Sequence, residues 1–282
     1  MNVLSIQSTV SYGRVGHRAA LLPLERLGHD VWPIDTVAFS NHPAHGSVRG
    51  RIVPATEVAD LLAGLIARGV VARCDAVLSG YLGDAATGAV VRDAVAAARA
   101  ANPAALYCCD PVIGEVGRGS YVRPGIAECF RETLAPIADL LTPNPYELER
   151  LAGRAPATVP AALEAADALR ARGTRLVVVT GLRVPEAPGH QLVLGVSGAG
   201  AWAVRVPERR VRVHGTGDAF TALLLAAYLP ARDAPAALAH AAAGLDAVLA
   251  LAESSDADEL PLVAAQDALV HPPIPRVPER VR

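Results

Sequence analysis

The stretch Val213-His214-Gly215-Thr216-Gly217-Asp218-Ala219-Phe220 decides how this chain is read. An arginine-rich segment precedes it, and the Ala- and Leu-rich run Thr221–Leu229 follows. The two glycines let the backbone turn sharply and come close to a ligand. The apolar run predicts a helix, whose first N–H groups lack intrahelical partners and, with the positive end of the helix dipole, favour an anion. Asp218 therefore stands where an anion would also bind. The octapeptide alone leaves two readings open. Asp218 is a helix N-cap, a place where Asp is among the best residues, or a carboxylate beside a phosphate site.

Outward from that stretch, strands and helices alternate. The patterns predict strands at Val3–Ile6, Val31–Phe39, Ala76–Ser79, Leu106–Cys109, Ala138–Leu141 and Arg175–Thr180. Helices are expected after Gly16 to about Leu27 and over Thr56–Ala67, Ala85–Ala101, Ile126–Leu134, Pro145–Ala152 and Val159–Arg172. Leu192–Val196 and Ala201–Val206 read as an antiparallel pair, and the helices Gly217–Leu229 and Pro235–Ser254 close the body. Such alternation implies an α/β fold, a mostly parallel central sheet with helices on both faces. Residues 1–271 are expected to form a single domain, and the Pro- and Arg-rich segment 272–282 a loosely held tail. Ligands of such sheets bind beyond the carboxyl ends of the strands. Ser8 in the loop Gln7–Gly16, Tyr81, Asp110, Asn144 and Thr180 all fall there.

Composition narrows the function classes. A formal net charge of −2 argues against a nucleic-acid footprint. No run of about 18 apolar residues lacks charge or turn residues, and the N-terminus has no basic region, so neither a membrane span nor a signal peptide is expected. Cys74, Cys108, Cys109 and Cys129 have no zinc-like spacing and suit reduced thiols in a cytoplasmic protein. The 26 cationic residues are all arginine. Without lysine there is neither a P-loop lysine nor a Schiff-base lysine. If the chain handles ATP, then arginine, metal ions and backbone amides must do the work.

Two carboxylate clusters could do so. Asp110-Pro111 at a strand end, with Glu115 four residues further on, puts two oxygen donors near one loop mouth, as Mg²⁺ requires. A turn-forming Asp-Pro with a solvated glutamate explains the same residues. Asn144 and Glu147 lie one turn apart at a helix start, as nearby polar ligands or as a variant capping box. The loop Pro111–Pro124 is long enough to be functional. His42 sits on a loop near a strand end, and His214 lies inside the opening stretch. Nothing resembles a nucleophile elbow or a metal-binding His/Cys set.

The order of these pieces resembles the ribokinase superfamily and, within it, the pyridoxal kinases. Ile6-Gln7-Ser8, Gly16, Phe39-Ser40-Asn41-His42, Ser79-Gly80-Tyr81-Leu82-Gly83, Cys109-Asp110-Pro111-Val112, Thr142-Pro143-Asn144 with Glu147, and Gly215-Thr216-Gly217-Asp218 match in sequence over roughly residues 2–270. The Ser-Asn-His and Ser-Gly-Tyr-Leu-Gly pieces are the most specific. The resemblance implies a ribokinase-like fold and ATP-dependent phosphorylation of the pyridoxal 5′-hydroxyl. Asp218 would be the base, and Gly215, Thr216 and Gly217 the anion hole. It also implies Ser8, Val15, Phe39, His42 and Tyr81 around the pyridine ring, and Asp110, Thr142, Asn144, Glu147 and Thr180 on the ATP side. Mg²⁺ would be organised by Asp110, Glu115 and Glu147, and a monovalent cation, usually K⁺, held near Asp110 and Thr142. Pro111–Pro124 would cover the nucleotide, and the assembly would be a homodimer around Val31–Asn41. Three features depart from the pattern: Pro43 where threonine is common, His214 where a small apolar residue is usual, and a short Gly181–Gln191 segment. A hydroxymethylpyrimidine kinase of the same fold and a low-activity pyridoxal-binding protein are the alternative readings.

Overall fold

The computed structural model describes residues 1–282. In chain order its elements are β1 (Asn2–Tyr12), α1 (His17–Arg26), β2 (Asp30–Asn41), β3 (Gly50–Ile52), α2 (Ala55–Ala67), β4 (Ala76–Ser79), α3 (Thr87–Ala101) and β5 (Leu106–Cys109). A hairpin follows, β6 (Gly114–Glu115) and β7 (Gly119–Ser120), then α4 (Ile126–Cys129), β8 (Leu140–Leu141), α5 (Pro145–Ala152) and α6 (Val159–Arg170). The chain closes with β9 (Leu176–Leu182), β10 (His190–Ser197), β11 (Gly200–Pro207), α7 (Thr216–Ala231), α8 (Ala234–Ser254), α9 (Gln266–Val270) and β12 (Glu279–Arg280).

One ten-stranded sheet runs in the order β12-β11-β10-β9-β8-β5-β4-β1-β2-β3. The strands from β9 to β2 pair in parallel, and the antiparallel strands lie at the two ends. Successive residues of a strand point to opposite faces, so the central strands feed two cores. Tyr107 and Cys109 pack with α2 to α6 on one face, whereas Leu106 and Cys108 pack with α1, α7, α8 and α9 on the other. Leu140 and Leu141 divide in the same way, and complete burial of each contributes about 1.5–3 kcal/mol. This is the expected two-faced α/β architecture, and it brings the carboxyl ends of β1, β4, β5 and β8 to one edge of the molecule.

Four details differ from the sequence reading. β1 does not stop at Ile6 but continues to Tyr12, with a register shift against β2 between Gln7 and Thr9. A bulge lets polar residues continue a strand while re-aiming one side chain, and Ser8 sits at that shift. The helix expected over Ile126–Leu134 is one α-turn that widens into a π-turn at Phe130–Leu134. α8 is long and apolar enough to cross a membrane, yet it packs against α7, α9, β10 and β11 as a core helix. The C-terminal segment is tied down: β12 pairs with β11, Arg276 bonds Asp246, and Arg282 bonds Asp167.

Candidate active site

Gly215 adopts a left-handed conformation (φ 81°) as the cap residue before α7, and no side chain caps the helix. Asp218 is therefore not the N-cap. It is the third residue of α7, free for other work. A Cβ on Gly215 would run into the Arg14 carbonyl, and one on Gly16 into the Ser8 carbonyl. The turn before α1 is thus wedged between the start of α7 and β1. On the other side, a Cβ on Gly217 would come within 3.8 Å of Asp110 Oδ2. The helix start, Asp218 and Asp110 share one cleft.

Asp110 follows β5 and is buried. Burial, then the neighbouring Glu147 and Asp218 charges, push its carboxyl well above the usual range, while the Thr221 and Thr142 hydroxyls act in the opposite direction. Those two hydroxyls lie 2.8 Å apart and tie the end of β8 to α7. Thr221 was not singled out in the sequence; it lies three residues after Asp218, on the same helix face. Burial raises Glu147 to about 8 despite the backbone N–H groups of Asn144, Ile113 and Gly114 around it. Asp218 is raised to about 6 by burial, opposed by the Gly16 N–H and then by His17.

Asn144 and Glu147 form a capping box that also reaches the hairpin loop. Glu147 N donates to Asn144 Oδ1 at 3.0 Å, and Asn144 N donates to Glu147 Oε2 at 2.9 Å. Glu147 Oε1 accepts from Ile113 N at 3.0 Å, and Asn144 Nδ2 donates to the Gly114 carbonyl at 2.7 Å. The capping-box reading of this pair holds, and the same two side chains reach the hairpin loop. Glu115 is placed differently from Asp110 and Glu147: its carboxylate pairs with Arg118 at 2.9 Å across the hairpin turn. Tyr121, which the sequence did not mark, keeps about half its surface exposed, and partial burial, then the charges of Glu147, Glu115, Asp110 and Asp218, push its hydroxyl up. Thr180 sits in β9, its N–H on the Pro143 carbonyl at 3.0 Å, beside Thr142 and Asn144.

The other end of the cleft holds the expected ring-binding residues. Ser8 and Val15 are buried, and Phe39 pairs in register with Val10. The Tyr81 carbonyl accepts from the Thr36 hydroxyl. His42 stacks on His214, with ring centroids 4.4 Å apart, and His45 lies 5.9 Å from His42. Burial, then His214, His45 and Arg118, lower His42 to about 4. Its Nδ1 accepts from Ala44 N at 3.3 Å in the turn that Pro43 opens, so the ring is neutral at ordinary pH with its proton on Nε2. Pro43 occupies the first position of that turn, which suits its fixed φ.

No three His, Cys, Asp or Glu residues converge into an all-protein metal cage. Mg²⁺ is ordinarily held by one or two carboxylates with substrate phosphates and water. The buried pair Asp110 and Glu147, where the Glu147 charge disfavours ionisation of Asp110, fits that requirement.

A doubly covered, mostly parallel sheet whose carboxyl edge gathers a glycine-capped helix start, a carboxylate beside it and a buried acidic pair defines a ribokinase-like phosphotransferase. The phosphomethylpyrimidine kinase family model matches residues 54–260. The chain belongs to the pyridoxal kinase family: it is 47% identical to pyridoxal kinase PdxY of Rubrobacter xylanophilus, over 99% of this chain and 97% of that one. It is 45% identical to the Granulibacter bethesdensis PdxY over 96% and 97% of the two chains. Among solved structures, Leishmania donovani pyridoxal kinase in complex with ADP and pyridoxamine superposes with a TM-score of 0.91 at 30% identity, covering 100% of this chain and 99% of that one. The family model begins after the Ser-Asn-His piece, whereas the pyridoxal kinase matches include it.

Proposed function

We propose that the protein transfers the γ-phosphoryl group of ATP to the 5′-hydroxyl of pyridoxal, with pyridoxamine and pyridoxine as further acceptors. The observation that carries this reading is the placement of Asp218 in the first turn of α7, uncapped and within one cleft of Asp110. Asp218 takes the hydroxyl proton as the substrate oxygen bonds to the γ-phosphorus. The bond from that phosphorus to the β,γ-bridging oxygen breaks, and ADP leaves. The N–H groups of Gly215, Thr216 and Gly217 offset the charge on the transferring group.

Asp110 and Glu147 hold Mg²⁺, which supplies charge neutralisation at the phosphates when bound, and Asp110 with Thr142 faces a monovalent cation such as K⁺. Glu115 joins that set only if it leaves Arg118. Asn144 and Thr180 line the nucleotide side. Ser8, Val15, Phe39, Tyr81 and the neutral His42 enclose the pyridine ring, and Pro111–Pro124 covers the nucleotide against water. The chain assembles as a homodimer through β2, whose first half, Asp30–Asp35, has no strand on its outer side. Four unpaired cysteines suit a reducing cytoplasmic setting.

ADP release by purified protein with ATP, Mg²⁺ and K⁺ tests the reading. Release with pyridoxal and only background with hydroxymethylpyrimidine is expected. Release with hydroxymethylpyrimidine alone would move the protein to the other kinase class. Pyridoxal binding without release from either would leave a binding protein.

A further inference from the structure

His17 is the first residue of α1 and is 2% exposed, unusual for a residue that the chemistry above does not use. Its Nδ1 donates to Asp35 Oδ1 at 2.7 Å, and its Nε2 lies 3.0 Å from the Ser5 hydroxyl and 3.2 Å from the Ser5 carbonyl. The Ser5 hydroxyl in turn accepts from Gln7 Nε2 at 2.9 Å, and Gln7 lies against Gly80, next to Tyr81. A buried polar relay, Asp35–His17–Ser5–Gln7, therefore ties β2, α1 and β1 together directly behind the cleft.

The relay anchors the four-residue turn Arg14–His17. At both ends of that turn a side chain would collide with backbone: at Gly215 with the Arg14 carbonyl, and at Gly16 with the Ser8 carbonyl. We propose that His17 is a positioning residue for phosphoryl transfer. Fixed by Asp35 and Ser5, it locks the Arg14–His17 turn that carries the Gly16 N–H to the Asp218 carboxylate and braces the anion hole at Gly215. The opposing pulls on Asp218 agree with this placement. Burial disfavours its charge, while the Gly16 N–H and His17 favour it. A small misplacement of a reacting group costs rate far more than it costs ground-state binding.

The inference rests on the kinase reading above, and one set of assays on the full-length protein separates the two. ADP release with pyridoxal is measured for wild type, Asp35→Asn, His17→Ala and His17→Asn, together with KM for ATP and Tm. His17→Ala and Asp35→Asn are expected to lower kcat about 10- to 100-fold, the scale of a misplaced group, with KM for ATP held within about twofold. His17→Asn, whose amide nitrogen takes the place of Nδ1 toward Asp35, is expected to recover most of the rate. Asp35 is 45% exposed, so Asp35→Asn decides the question if His17→Ala fails to fold. Near-wild-type kcat in Asp35→Asn overturns the proposal. So does equal loss in His17→Asn and His17→Ala, or a kcat loss that merely follows a fall in Tm. Wild type inactive on pyridoxal sinks the kinase reading instead.

Discussion

As the proposed base, Asp218 would act only when ionised, and burial raises its carboxyl to about 6, above the ordinary value of 3.8. The sign follows: the competent form is absent well below pH 6 and accumulates as pH rises through that value. The pH profile of kcat/KM is expected to show an ascending limb near 6. Asp218→Asn should lose about 10²-fold or more in kcat, the usual scale of a positioned general base, and should lose that limb as well. Steady-state rates for both proteins between pH 5 and 8 check this, and near-normal kcat in the variant would remove Asp218 from the role. At this scale the sequence was most legible where a short motif fixes the local backbone, as at Gly215–Asp218, Asn144 and Glu147. It was silent on Thr221, Tyr121 and His17. Each of these is placed by neighbours distant in the chain, and neither spacing nor composition encodes that.

The start of α7 shows why glycine spacing alone says too little. Gly215 needs its left-handed φ, and a side chain there meets the Arg14 carbonyl, whereas Gly217 has open space apart from Asp110 Oδ2 at 3.8 Å. Gly215→Ala should therefore cost about 1–3 kcal/mol of backbone strain and most of the activity. Gly217→Ala should keep Tm near wild type while slowing turnover, because its methyl group would sit within 3.8 Å of the Asp110 carboxylate in the proposed site. Thermal melts paired with ADP-release assays separate the two, and equal Tm losses would contradict the assignment of strain to Gly215. Strand and helix positions were read well from apolar periodicity. The extension of β1 was not, because Gln7-Ser8-Thr9 looks like a loop until a bulge places those polar side chains at the head of the site.

For the molecule as a whole, the alternation of strands and helices predicted a sheet covered on both faces, and a core forms on each face. The C-terminal segment escaped because Pro and Arg suggest a solvated tail, while its anchors are single long-range partners. Asp246 is buried between Arg209 and Arg276, and β12 adds a last rung to β11. Deleting residues 272–282 should cost about 2 kcal/mol, the worth of one charged hydrogen bond, with kcat retained in the surviving fold. A melt and a rate on the shortened chain check it, and an unchanged Tm would mean the tail contributes no stability. The Glu147 carboxylate has a consequence of another kind, because it closes the first turn of α5 with one oxygen and holds the Ile113 amide with the other. Any lifting of the hairpin would therefore also loosen the start of α5, and amide exchange at the head of that helix is expected to report it.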